Sequence, residues 1–83
     1  MKTVYQYIEM VDVTADSMKT KRFMVSNRRH GSCLGEIGWS PPWRQYVFRP
    51  FGDTVFSVGC MQDIIDFIQN LTEARKQEET KHD

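Results

Sequence analysis

The chain is poor in cysteine, proline and long apolar runs. Two cysteines in 83 residues cannot build a disulfide framework of the secreted kind. No apolar stretch approaches the roughly 20 residues that a bilayer crossing needs. Met1 to Tyr7 has no apolar core of a secretory leader, so no signal peptide is expected and a reducing compartment is. No internal repeat and no interdomain linker break the chain, and its length allows one domain. The 40% apolar content with 12% aromatics is enough for a small core and too much for a disordered chain.

Formal net charge is zero, but the charge is segregated. From Lys19 to Arg49 seven cations face Glu36 alone, a net of plus six; the remainder has four cations against ten acids, a net of minus six. Segregation of this kind creates a local field that a mixed surface lacks. Two outcomes follow: the basic middle faces an outside partner, or it faces the chain's own acidic helix.

Periodicity organises the rest. Thr3 to Val13 is rich in β-branched and aromatic residues and predicts a strand. Lys21 to Asn27 alternates, with Phe23 and Val25 on one side, and predicts a second. Asn27-Arg28-Arg29-His30-Gly31 reads as a hairpin loop, followed by a strand over Ser32–Trp39. Gly35 and Gly38 inside that strand suggest a bulge or a close backbone approach. Ser40-Pro41-Pro42 must be a loop. A fourth strand is expected over Trp43–Arg49, and Thr54–Ser57 is a candidate fifth. Met61, Ile64, Ile65, Phe67, Ile68 and Leu71 then recur at helical spacing, with Ser57 or Gly59 available as cap. The expected fold class is α+β: an antiparallel meander of four to five strands with one C-terminal helix on one face. The ββββα domain is expected over residues 1–71, with the helix fraying near Gln77 and a disordered charged tail over 72–83. A single helix covers one side of such a sheet, so function is sought on the other.

Three stretches carry a resemblance: Leu34-Gly35-Glu36-Ile37-Gly38-Trp39, Pro42-Trp43-Arg44-Gln45-Tyr46-Val47-Phe48-Arg49-Pro50, and Cys60-Met61-Gln62-Asp63-Ile64-Ile65-Asp66-Phe67-Ile68. Together they resemble a group of small uncharacterised proteins of bacteriophages and prophages. That group shares Gly-x-Ile-x-Trp, Pro-Trp-Arg-Gln-Tyr-x-Phe and Cys-x-x-Asp-Ile-x-Asp-Phe-Ile. The resemblance covers about Cys33 to Leu71. It implies a phage or mobile-element origin and the cytoplasm of a bacterial host, and it implies no activity.

Candidate binding residues are Arg28, Arg29, Trp39, Trp43, Arg44, Tyr46 and Arg49. Interleaved rings and guanidinium groups on a sheet can stack bases and hold phosphates. Period two separates Trp43 from Tyr46 and Phe48, however, so one aromatic set must belong to the core. Arg28, Arg29 and His30 at a hairpin tip could grip an anion or simply be solvated. Cys33, Cys60, His30 and His82 match no zinc spacing, and both cysteines read as small buried residues. Asp63 and Asp66 stand three apart on a helix side, where a solvated face is a better reading than a hydrolytic pair. Asn70-Leu71-Thr72 is a chance glycosylation match without a signal peptide.

The expectation is a non-catalytic binding module that docks to a host or phage protein through its open sheet face. It needs no cofactor or metal and has no membrane association. Nucleic acid is the alternative partner, through the basic aromatic strands, and pairing of edge strands offers a route to a homodimer.

Overall fold

The computed structural model describes the backbone of residues 1–80 and the side chains of residues 1–77. Four antiparallel strands in the order β1-β2-β3-β4 form one sheet: β1 Ile8–Asp12, β2 Arg22–Asn27, β3 Cys33–Ser40 and β4 Gln45–Pro50. Helix α1, Val58–Thr80, lies across one side. The meander with one C-terminal helix is therefore the observed α+β fold.

Four local expectations are corrected. The N-terminal apolar stretch is not one strand. It folds back at Tyr5-Gln6-Tyr7, with the Tyr5 N–H donating to the Ile8 carbonyl at 2.9 Å and Val4 bridging to Glu9. Burial of Tyr5 in the core drives the fold-back: Tyr5 is 5% exposed although its neighbours Gln6 and Tyr7 face solvent. β4 starts at Gln45, because Trp43 and Arg44 complete the turn after Pro41-Pro42 and Arg44 takes a φ of 54°. Thr54–Ser57 forms no strand among the described residues; the Thr54 N–H closes a turn on the Phe51 carbonyl at 3.2 Å. The helix continues to Thr80, past the expected fraying point at Gln77, while 81–83 of the expected tail lie outside the described residues.

Ser57 caps the helix: its Oγ accepts the Cys60 N–H at 3.1 Å, satisfying one otherwise unpaired first-turn donor. Ile64, Phe67 and Leu71 then point into the sheet at helical spacing and meet Tyr5, Ile8, Met10, Phe23, Val25, Ile37 and Tyr46. Phe67 sits at the centre, with no exposed surface and its ring edge-on to Phe23 at 4.8 Å. Full burial of such a ring contributes about 1.5–3 kcal/mol.

Between β2 and β3 the register shifts. Val25 pairs with Gly35 but Ser26 pairs with Cys33, which leaves Leu34 as an extra residue. Leu34 packs against the core, and its carbonyl accepts the Phe51 N–H at 2.9 Å. Gly35 is required here. A Cβ at this position would lie 2.6 Å from the Arg49 carbonyl oxygen and 2.6 Å from the Phe48 ring.

Candidate docking face

The ladder registers decide which side chains share a side. Phe23, Ile37 and Phe48 form one cross-strand row, and Trp39 pairs with Tyr46. Both sets lie on the helix side: Phe48 stacks edge-on with Phe56 at 5.1 Å and Trp39 with Tyr46 at 5.3 Å. The intervening rows face away. Arg22, Gly38 and Val47 make one; Val11, Met24, Glu36 and Arg49 make the next. No element covers this second side among the described residues.

The expected surface is thus only partly assembled. Of the rings proposed for it, Trp39, Tyr46 and Phe48 belong to the covered side, which corrects the reading of a bare face rich in aromatics. The guanidinium of Arg75 lies over the Trp39 ring at 4.1 Å, so Trp39 already carries a cation from the helix. Trp43 is the exception: it stands 72% exposed at the β3–β4 turn. With Ser40, Val47, Phe48 and Arg49 it lines a shallow groove of about 350 Å³. Phe48 reaches this groove from the covered side, so the groove wraps around the outer margin of β4.

Charge on the bare side is nearly balanced. Arg22 donates from Nε to the Glu36 carboxylate at 2.9 Å. This pair is partly exposed and worth at most about 1 kcal/mol, but it removes Arg22 as a free phosphate ligand. Arg49 faces Glu36 in register, yet its guanidinium reaches toward Gly38, where an added Cβ would sit 3.5 Å from Nη1. No hydrogen bond or ion pair holds Arg49 among the described residues. Glu9 adds a second acid beside Ser26. Two arginines against two glutamates leave no cationic field there.

The hairpin-tip arginines sit apart, at the end of the sheet. Arg28 is structural: its Nη1 donates to the Tyr5 carbonyl at 2.7 Å and its backbone N–H to the Tyr7 carbonyl at 3.0 Å, tying two turns together. Asn27 Oδ1 accepts the N–H groups of Arg29 and His30 at 2.8 and 3.2 Å and shapes the loop. Arg29 and His30 are exposed. Arg44 is also exposed, on the far turn beside Trp43.

The helix carboxylates have structural work. Asp66 accepts the Tyr5 hydroxyl at 2.8 Å and the Asn70 amide at 3.3 Å. Burial, and then this bond to Asp66, push the Tyr5 hydroxyl well above its ordinary titration range. Sequence patterning did not foresee this link, because it joins residues 61 apart. Cys33 is exposed, against the expectation of a buried residue, because the bulge turns it away; Cys60 is half-buried against the core. No group of three or more metal-ligating side chains forms among the described residues, and no helix is long and apolar enough to cross a membrane.

These features define a small sheet-and-helix protein with one bare face. The sequence is 33% identical over 72 residues to an Acholeplasma phage L2 protein called "Uncharacterized 9.3 kDa protein", spanning 87% of this chain and 92% of that one. The chain belongs to the family of that phage protein. No family model matches it, and no solved structure does.

Proposed function

We propose that this protein is a non-catalytic docking module that binds a host or phage protein through its bare sheet face. The observation that carries the reading is Trp43, 72% exposed in the groove beside Val47 and Arg49. An exposed indole flanked by a guanidinium and the hydroxyl residue Ser40 has the composition of an interface anchor. Val11 at 44% exposure and half-buried Met24 extend the apolar part across the sheet, and the balanced charges suit a protein surface better than a phosphate backbone.

The test is capture from phage-infected host lysate after nuclease treatment, comparing wild type with Trp43→Asp and Arg49→Glu. A partner held by wild type and by a control at Gln69, an exposed residue of α1 (Gln69→Ala), but lost in both face variants, supports the reading. Retention by the face variants, or capture that vanishes with nuclease and falls steeply with salt, rejects it in favour of nucleic acid.

A further inference from the structure

The two margins of the sheet differ in what their main chain has left to bond. At β1 the N-terminal residues already bond the outward groups of Ile8 and Met10. β4 forms the other margin, with no strand beyond it among the described residues. The bond from the Phe51 N–H to the Leu34 carbonyl, at 2.9 Å, sets the alternation of the β3–β4 ladder. Gln45, Val47 and Arg49 therefore turn their main-chain groups toward β3, and Tyr46 and Phe48 turn theirs outward. No hydrogen bond takes the outward N–H and C=O groups of these two residues among the described residues.

Side chains shape this margin. The Tyr46 ring leans away from it, across β3, where its hydroxyl accepts the Lys21 N–H at 3.1 Å. Trp43 stands just before the strand, and the groove of about 350 Å³ runs along Val47, Phe48 and Arg49. An added strand would lay the side chain opposite Val47 on the bare side, next to the Trp43 indole. The side chain two positions along would stand opposite Arg49 on the same side.

Charge chooses the occupant. β4 and the turn before it carry Arg44 and Arg49 and no acid. Both arginines are exposed, and no hydrogen bond or ion pair holds either guanidinium among the described residues. A second copy paired β4 to β4 would line the guanidinium groups of both copies along one seam, with no carboxylate from either strand; like charges across a ladder are destabilising. A segment with a carboxylate two positions from an apolar residue meets both Arg49 and Trp43.

We propose that β4 binds an extended, acidic peptide segment of the partner protein as an added strand. The main chain of Tyr46 and Phe48 holds it, with an apolar side chain beside Trp43 and a carboxylate on Arg49. This deepens the docking reading and rests on it, because it names the kind of segment recognised at the margin of that face.

The test is selection by the full chain from a random linear peptide library, followed by amide hydrogen exchange with the strongest selected peptide. Selected sequences carry Asp or Glu two positions from an apolar residue. At a peptide concentration about ten times its Kd, exchange of the Tyr46 and Phe48 amides slows about ten-fold, since only the free form exchanges. The Val47 amide, already bonded to β3, is the internal reference. N-methylation along the peptide abolishes binding at alternate positions, as a ladder requires. Arg49→Glu weakens the acidic peptide about five-fold, and a peptide with Lys in place of the acid regains the loss. Selection of no peptide, or selected peptides that leave the Tyr46 and Phe48 amides unprotected, overturns the proposal. Trp43-dependent capture of a partner from lysate would then leave the docking reading standing, and its absence would reject both. Protection of the same amides in the protein alone, rising with its concentration, overturns the proposal in favour of a second copy.

Discussion

Gly35 and Gly38 stand three residues apart on one strand and meet opposite conditions. At Gly35, on the covered side, a methyl group would strike the backbone of Arg49 and the ring of Phe48. At Gly38, on the bare side, the nearest atom is the mobile end of Arg49 at 3.5 Å. The first glycine is fixed by packing and the second by nothing rigid. The same division runs through the whole molecule: the helix side is closed by shape, whereas the bare side is closed only by side chains that can move.

Five substitutions, one of them read by titration, test that division. Phe67→Ala removes the central ring and should cost about 3–5 kcal/mol, a large share of what a domain of this size has, read as a fall in the urea midpoint. Gly35→Ala should cost about 1–3 kcal/mol through overpacking, while Gly38→Ala should stay within about 1 kcal/mol of wild type; equal losses at both would erase the contrast. Tyr5 gives a pH signature of the covered side. Its folded hydroxyl titrates above the unfolded value of about 10, so its contribution is fully present below pH 10 and declines as pH rises beyond that. Wild type should therefore lose more stability between about pH 9 and 11 than Tyr5→Phe does. Last, Trp43→Ala should change stability by no more than about 0.5 kcal/mol, since its ring packs against little. A larger loss would mean that the indole belongs to the fold and is not free to dock.

Much of the architecture was legible from periodicity. Alternation placed Phe23 and Val25 inward, and the stripe through Ile64, Phe67 and Leu71 announced the helix and the side it buries. Sequence also required that one of the two aromatic sets on β4 be core. It could not say which, because strand alternation fixes relative and not absolute direction; the helix decided for Tyr46 and Phe48. The open margin of β4 was hidden for a different reason. Periodicity marks which residues form a strand and not where that strand stands in the sheet. Only the order β1-β2-β3-β4 leaves the main chain of Tyr46 and Phe48 without a neighbour. Arg28 was legible as a loop arginine but not as a tie between turns, since its acceptors belong to a fold-back that apolar patterning had disguised as strand.

That fold-back has a consequence for assembly. The outward-facing carbonyl of Ile8 is taken by the Tyr5 N–H, and the outward-facing N–H of Met10 by the Thr3 carbonyl at 2.8 Å. On the opposite margin, Pro50 offers no N–H at all. Ribbon-like polymerisation requires two unsatisfied borders on every subunit. With part of one border already bonded to its own leading residues, this sheet offers a copy fewer free groups there, and addition of strands from copy to copy is disfavoured on that side.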